Sequence, residues 1–215
     1  AYDPATGWVR VDTELTSDLD LVSQKLFALT TNGGDEYVGR VMQTALEKLP
    51  WSQDPQALKL LFVAGNEPAT QDPLVDFKVQ CKAAISRGIV VNSIYCGTDG
   101  SEEAAAWKQV ALLADGQYSA IEQDKAVVVT TAFDAQLAAL SAELNKTYVP
   151  YGEAGRESAE NQKLQDSNAA SLNVAAAAQR CQTKGSGLYQ NAQWDLVDAC
   201  RDEKFDLAKV KIEEL

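Results

Sequence analysis

Two almost uninterrupted runs of apolar residues, separated by one helix-length segment, constrain the fold of this chain more than any other feature. The first run covers residues 58–64 (LKLLFVA) and the second covers residues 89–95 (IVVNSIY). The intervening residues 73–87 read as a helix, which Gly88 ends. Strands without polar alternation are typical of a parallel sheet that is covered on both faces. The sequence therefore predicts a strand–helix–strand unit within an α/β fold.

Further helices and strands follow from the spacing of apolar residues and from turn signals. The clearest helix begins at Val38, repeats apolar side chains every three or four positions, and is stopped by Pro50. The other predicted elements are strands at residues 7–12 and 118–121 and helices at residues 18–29, 102–114 and 134–145. Two of these helices are expected to bury an apolar face, formed by Leu19, Val22, Leu26 and Leu29 in one and by Leu137, Leu140 and Leu144 in the other.

The composition of the chain changes after Pro150. Residues 153–182 are rich in Ala, Asn, Gln and Ser, which predicts one weakly amphipathic helix that needs a surface to pack on. Its main apolar stripe is formed by Leu164, Leu172, Ala175 and Ala176. A loop and a short final helix starting near Trp194 follow. The four tryptophans are expected to be packing residues rather than a ligand cage.

Charge and residue usage exclude several classes of function. The net charge of −12 argues against binding to nucleic acid or to anionic membrane surfaces, which require clustered Lys and Arg. The chain has no histidine, so it supplies neither a histidine base nor a histidine metal ligand. No apolar run approaches the length of a membrane span, and no nucleophile–base pair or phosphate-binding glycine loop is recognisable. The sequence therefore predicts a protein that is not an enzyme.

Several stretches resemble von Willebrand factor A-type (vWA) domains. Three of them match the strands and the late helix of that family: LKLLFVAGNEP (58–68), GIVVNSIYCG (88–97) and WKQVALLADGQYSAI (107–121). Others are similar to a bacterial subgroup that carries a C-terminal extension: TTNGGDEYVG (30–39), FVAGNEPATQ (62–71) and LYQNAQWDLVDA (188–199). The resemblance implies a doubly wound, mostly parallel sheet with helices on both faces over residues 1–150. A helical extension packing on that domain is expected over residues 151–215.

The resemblance also implies a first strand that this sequence does not contain. In vWA domains the first strand is central and ends in a DxSxS loop, and no DxSxS occurs here. The family layout places that strand and its helix before the stretch aligned with residues 1–12. Because loss of a central strand exposes two edges, a separate upstream fragment carrying this strand is an expected partner.

The family's metal-ion-dependent adhesion site gives the candidate functional residues. It lies at the carboxyl ends of the strands, where oxygen ligands hold Mg²⁺ and an acidic residue of the partner completes the shell. Here the family's threonine is missing after Gly34, and its aspartate position falls at Gly65 or Asn66. The expected degenerate site for Mg²⁺ or another divalent cation uses Asp35, Glu36, Asn66 and Glu67, and the expected partner-binding loops use Asn32, Gly33, Gly34, Asn66, Glu67 and Thr70. The alternative is that these are solvated loop residues with roles in turns.

The four cysteines lack the spacing of a zinc site. In a strand–helix–strand unit, Cys81 and Cys96 differ in height by roughly 14 Å, beyond the ~7 Å limit of Cα atoms joined by a disulfide. Cys181 and Cys200 flank a glycine-containing loop between two helices, and a disulfide between them is predicted, with free thiols as the alternative. That bond favours an oxidising, extracytoplasmic location in the periplasm or outside the cell.

Two functions agree with these observations. The first is a protein-binding module for adhesion or assembly, acting through the loops at the carboxyl edge of the sheet. The second is a structural or scaffold protein of a cell-envelope complex, whose contacts are made by the C-terminal helices. An enzyme is the weakest of the three classes compared.

Overall fold

The structure is a computed structural model that describes residues 9–30, 34–122, 128–153 and 155–210. The chain divides into two compact units. The sheet unit comprises Ala1–Leu15 and Thr31–Val127, and the helical unit comprises Thr16–Thr30 and Val128–Leu215. The vWA domain expected over residues 1–150 and the extension expected over residues 151–215 stay predictions.

The described part of the chain contains three strands and eight α-helices, which confirms the α/β class. The strands are β1 (Lys59–Gly65), β2 (Ile89–Tyr95) and β3 (Tyr118–Ala120). The helices of the sheet unit are α2 (Val38–Lys48), α3 (Phe77–Ser86) and α4 (Glu102–Leu112). The helices of the helical unit are α1 (Leu19–Phe27), α5 (Asp134–Leu144), α6 (Gly155–Leu172), α7 (Val174–Lys184) and α8 (Leu196–Ala199).

The three strands form one parallel sheet in the order β1-β2-β3. Lys59 pairs with Ile89 at the start of β1 and β2, and Ser93 pairs with Tyr118 where β3 joins. The parallel strand–helix–strand unit predicted from the two apolar runs is therefore confirmed. Because the strands are parallel, their last residues Gly65, Tyr95 and Ala120 lie at the same edge of the sheet.

The strand predicted at residues 7–12 is not formed by the residues that the structure describes. Gly7 and Trp8 lie outside the described residues, and residues 9–12 have no strand structure. Arg10 instead folds back onto Asp12, with its Nε 2.7 Å from a carboxylate oxygen. A segment with alternating apolar residues forms a strand only when another strand pairs with it. No strand among the described residues pairs with this segment.

Helix α3 begins four residues later than predicted because two aspartates hold the preceding turns. The Asp72 carboxylate accepts hydrogen bonds from the backbone N–H groups of Leu74 and Val75, at 2.9 and 3.2 Å. The Asp76 carboxylate then caps the helix by accepting from the backbone N–H of Lys78 at 2.8 Å. The Pro73–Val75 segment is therefore a turn, although its sequence fits a first helical turn.

The core of the sheet unit lies on one face of the sheet. Alternate strand residues point into it together with the apolar sides of α2, α3 and α4, and the largest of these side chains are Trp107, Phe77, Met42, Ile89, Val91 and Val110. The opposite face of β1 is not covered in the same way, because Leu60 is 39% exposed and Phe62 is 60% exposed. The expectation that this strand is buried on both faces is therefore wrong for the described structure.

The helical unit has a polar interior. Asp20, Gln162, Gln165, Arg180 and Lys184 are all buried. Five of the residues expected to form apolar faces are more than half exposed: Leu26, Leu29, Leu140, Leu164 and Leu172. The others are partly buried: Leu19, Val22, Leu137, Leu144, Ala175 and Ala176. The predicted apolar stripes of these helices are therefore wrong in part.

Buried ion pairs connect the helices of this unit. Arg180 on α7 contacts Asp20 on α1 through Nη2 and Asp166 on α6 through Nε, the latter at 2.8 Å. Lys184 donates from Nζ to Asp166 and to Ser141 Oγ on α5, both at 2.8 Å. Burial would raise the pKa of Asp166, but the hydrogen bonds from Lys184 and its neighbours outweigh burial and lower the pKa. Paired charges thus replace apolar packing in this interior.

The segment expected to be one helix over residues 153–182 is two helices. Asn173 has an extended backbone and its side chain accepts a hydrogen bond from the backbone N–H of Ala176 at 2.8 Å. This cap ends α6 and starts α7. The tryptophans among the described residues pack as predicted, since Trp107 and Trp194 are buried and Trp51 is partly buried against the core.

Candidate functional site

The carboxyl edge of the sheet is organised around the side chain of Glu36. Its Oε2 accepts hydrogen bonds from the backbone N–H groups of Asn66 at 2.9 Å and of Glu67 at 3.1 Å. These two residues directly follow β1. One carboxylate oxygen therefore binds two consecutive backbone donors, and this contact joins the loop before α2 to the loop after β1.

Gln71 makes a second connection between the same two loops. Its Oε1 accepts from the backbone N–H of Glu36 at 2.6 Å, and its Nε2 donates to the backbone carbonyl of Gly34 at 2.9 Å. The Nε2 atom also lies 3.5 Å from Oε2 of Glu67. Gln71 was not among the residues predicted from the sequence. No local signal marks it, because its partners lie 35 and 37 positions away in the chain.

Gly65 leaves room for the Glu36 carboxylate at the end of β1. A Cβ atom at this position would lie 2.0 Å from Oε2 of Glu36 and 2.9 Å from the Cη2 atom of Trp107. Both distances are shorter than van der Waals contact. The absence of a side chain at Gly65 therefore gives the Glu36 carboxylate access to the backbone.

Trp107 forms the floor beneath these loops. It is fully buried, and its Nε1 donates a hydrogen bond to the backbone carbonyl of Glu67 at 2.9 Å. Its ring lies 6.2 Å from the ring of Tyr95 at the end of β2, and the Tyr95 hydroxyl is 3.0 Å from the Ser101 hydroxyl. The loop after β1 therefore rests on a rigid aromatic support.

An ion pair anchors the far end of the loop after β1. Arg40 donates from Nε and Nη2 to the two carboxylate oxygens of Asp72, both at 2.9 Å. Burial would raise the pKa of Asp72, but the Arg40 guanidinium and the backbone donors of Leu74 and Val75 outweigh burial and lower it. The Arg40 guanidinium also lies 4.7 Å from the ring centre of Tyr37.

The ends of β2 and β3 carry a second set of polar contacts. The backbone N–H of Cys96 donates to the carbonyl of Gly65 at 2.7 Å, and burial followed by the charge of Glu36 raises the pKa of the Cys96 thiol. Asp99 accepts from the Tyr118 hydroxyl at 3.1 Å and pairs with Lys108 at 2.8 Å. Burial and the hydrogen bond to Asp99 raise the pKa of Tyr118 to about 12.

The structure brings together some of the predicted site residues. Gly34, Glu36, Asn66 and Glu67 meet through the contacts above. Asp35 and Thr70 are exposed on the same loops. Asn32 and Gly33 lie outside the described residues.

The divalent cation expected at this edge stays a prediction. Among the residues that the structure describes, no group of three His, Cys, Asp or Glu side chains is placed to hold a metal ion. Glu36 already uses Oε2 for two backbone donors. Because Mg²⁺ requires about six oxygen ligands, a cation here would need oxygens beyond those of Glu36 and Glu67.

The four cysteines are free thiols in the structure. Cys81 is buried, and burial raises its pKa to about 11. Cys181 is partly buried and Cys200 is exposed. The disulfide between Cys181 and Cys200 stays a prediction.

Comparisons with protein-family models, with curated proteins and with solved structures find no match to this chain. The vWA resemblance therefore stays a prediction. None of the described helices is long and apolar enough to cross a membrane. The functional argument rests on the geometry of the loops at the carboxyl edge of the sheet.

Proposed function

We propose that the sheet unit is a protein-binding module of the vWA type and that its contact surface is the carboxyl edge of the sheet. The observation that carries this proposal is the connection of two loops by Glu36 and Gln71, with exposed polar side chains around it. Open α/β sheets bind their ligands at the carboxyl ends of their strands. The proposed surface consists of residues 34–36 and 66–70.

The arrangement of these loops favours a binding surface over the alternative that their residues serve only as solvated turns. Glu36 and Gln71 hold the loop backbones from within, so Asp35, Asn66 and Thr70 remain exposed for a partner. A surface that is ordered before binding loses less conformational entropy when the partner arrives. The Trp107 floor adds to this order because it fixes the backbone of Glu67.

We further propose that a divalent cation is held by the oxygens of Glu36 and Glu67 with those of Asp35 and Asn66. It would supply a positive charge for an acidic group of the partner. Calorimetric titration with Mg²⁺, Mn²⁺ and Ca²⁺ tests this part alone. Absence of heat at millimolar metal would remove the cation from the proposal and leave the protein-binding surface intact.

The unpaired edge of β1 favours the proposal that a partner supplies an additional strand beside it. Among the described residues β1 pairs with β2 alone, and Leu60 and Phe62 are exposed on one face. A strand added beside β1 would use its free backbone groups, as expected for the family's first strand. Hydrogen–deuterium exchange tests this: the outward amides of β1 should exchange rapidly in the chain alone and become protected when a partner that adds a strand is bound.

Site-specific photocrosslinking tests the binding surface. A photoreactive residue replaces Thr70, which is exposed at the proposed surface, and a matched probe replaces Gln56, which is exposed before β1 at the opposite edge. Cells of the source organism are irradiated and the adducts are identified by mass spectrometry. We expect one protein to crosslink at Thr70 and not at Gln56. Equal labelling at both positions would contradict the proposed surface.

The alternative function is a scaffold whose contacts come from the C-terminal helices, and we propose that such a complex would belong to the cell envelope. Exposed apolar residues of the helical unit favour it, since Leu172 is 62% exposed and Leu188 is 81% exposed. A third photoreactive probe at Leu188 separates the two functions. Adducts at Leu188 without adducts at Thr70 would favour the scaffold, and neither proposal assigns catalysis to the chain.

A further inference from the structure

A groove between α1 and α6, both in the helical unit, combines acidic side chains with an apolar floor. Its volume is about 360 Å³. Leu21 and Leu164 supply the apolar surface, and the charged lining residues are Asp18, Glu157 and Glu160. The other lining residues are uncharged, so no cationic side chain of the described chain balances the three carboxylates within the groove.

The acidic side chains are available to a ligand. Glu157 and Glu160 are exposed. Asp18 uses Oδ1 to cap α1 by accepting from the backbone N–H groups of Asp20 and Leu21, at 3.0 and 2.9 Å. Its Oδ2 takes no part in that cap. The two buried positive charges of this unit, on Arg180 and Lys184, are committed to Asp20 and Asp166 in the interior.

Leu164 lies on the outer side of a helix that buries polar residues instead. Helix α6 places Gln162 and Gln165 inside at 1% exposure each, whereas Leu164 is 51% exposed. Glu157, Glu160 and Leu164 are spaced three and four residues apart, so they share one face of the helix. The groove therefore presents a stripe that is acidic at one end and apolar at the other.

We propose that this groove binds a basic segment of a partner protein. A Lys or Arg side chain would lay its methylene groups over Leu21 and Leu164 and place its charge beside Asp18, Glu157 and Glu160. Charge complementarity selects this occupant. A second copy of the chain would bring another surface of the same net charge of −12, and anionic lipids or nucleic acid would be repelled.

Fluorescence anisotropy with synthetic peptides tests the proposal on the full chain. The probe is a labelled helical peptide that carries Arg and Leu on one face, and the comparison peptides replace either Arg by Gln or Leu by Ser. We expect Glu157→Gln/Glu160→Gln to weaken binding about tenfold, because two rim charges together contribute roughly 1–2 kcal/mol. The matched control, Glu47→Gln/Glu102→Gln, removes two exposed carboxylates from the sheet unit and should leave binding within about twofold.

A second pair of variants tests the apolar floor. Leu164→Gln should weaken binding, whereas Leu140→Gln, which changes a 58% exposed leucine of the same unit outside the groove, should not. Thermal unfolding of each variant separates a binding effect from loss of fold, since Glu157 also lies in the first turn of α6. Three results would overturn the proposal. The first is that Glu47→Gln/Glu102→Gln weakens peptide binding as much as Glu157→Gln/Glu160→Gln does. The others are that the peptide with Gln in place of Arg binds as tightly as the Arg peptide, or that no peptide binds at millimolar concentration. Self-association that Leu164→Gln abolishes would assign the groove to a second copy and would overturn it as well.

Discussion

Oε2 of Glu36 lies 2.9 Å from the backbone nitrogen of Asn66, the residue that directly follows β1. The same oxygen accepts from Glu67. The carboxylate thus accepts hydrogen bonds from backbone N–H groups just after an edge strand, and these groups would otherwise face solvent. This contact determines the conformation of both loops in the proposed binding surface.

Replacing Glu36 by Ala should release the loop after β1. Two backbone N–H groups lose their acceptor, and we expect a loss of about 1–3 kcal/mol in the free energy of unfolding. Urea denaturation measures the loss, and amide exchange at Asn66 and Glu67 should accelerate. The control is Asp35→Ala, which changes an exposed neighbour and should have an effect within about 0.5 kcal/mol. Equal effects of the two variants would contradict the role given to Glu36.

Replacing Gly65 by Ala should destabilise the sheet unit by about 1–3 kcal/mol, because the added Cβ would lie 2.0 Å from the Glu36 carboxylate. Part of this cost should disappear in the Glu36→Ala background, where the clashing carboxylate is absent and the close contact with Trp107 remains. A double-mutant cycle from urea denaturation measures this coupling. Gly34→Ala is the control, since a Cβ there would meet nothing within 4 Å. Additive losses in the cycle would show that the clash lies elsewhere.

The Asp72–Arg40 pair should make stability depend on pH. The pKa of folded Asp72 is lowered, so its charge stabilises the folded state fully above the ordinary pKa of about 3.9. That stability is lost as the pH falls through the lowered folded value. We expect Asp72→Asn to cost about 1.5–3 kcal/mol at pH 7, and the difference from the unmodified chain to shrink below about pH 4. Asp35→Asn is the control, and a difference that does not change with pH would exclude the ionised pair as its source.

Replacing Lys184 by Met should destabilise the helical unit by about 3 kcal/mol, since it removes one partner from a buried ion pair. Asp166→Asn combined with Lys184→Met should cost less than the sum of the two single changes, because neither charge is then left alone. Thermal unfolding monitored by circular dichroism measures both effects. A double variant whose loss equals the sum would contradict the coupling of Asp166 and Lys184.

The cysteines should differ in reactivity according to burial. In the presence of reductant, iodoacetamide should label exposed Cys200 first and buried Cys81 last, because burial raises the pKa of the Cys81 thiol to about 11 and excludes the reagent. Intact mass with and without reductant tests the predicted disulfide in the same experiment. If Cys181 and Cys200 are joined, labelling at both positions will require reductant; labelling without it would exclude the bond.

The sequence predicts both ends of β2 correctly, and it predicts the ends of β3 and α5 to within one residue. These elements have strong local signals: β2 is a run of β-branched and apolar residues bounded by Gly88 and Gly97. The start of α3 was wrong because its position depends on the side chain of Asp72, and that carboxylate is held in turn by Arg40, 32 residues away. Local composition cannot reveal a contact at that separation.

The interior of the helical unit could not be predicted for a related reason. Apolar periodicity places Leu164 and Leu172 inside, but the structure buries Gln162 and Gln165 and exposes the leucines. Buried polar groups are favourable only when each finds a partner, and Arg180 finds its partner in Asp20, 160 residues away. At the proposed binding surface Glu36 was predicted from loop position, whereas Gln71 was missed because it acts through contacts distant in sequence.

The uncovered face of β1 has a consequence for the colloidal behaviour of the protein. Exposed Leu60 and Phe62 lie on a strand whose outer edge is not paired with any other described strand. Such an edge is a template for edge-to-edge association between molecules. The net charge of −12 keeps molecules apart at low ionic strength, where that repulsion reaches well beyond the strand. At about 0.1 M salt the screening length falls to ~10 Å, so added salt should promote precipitation of the chain rather than keep it dispersed.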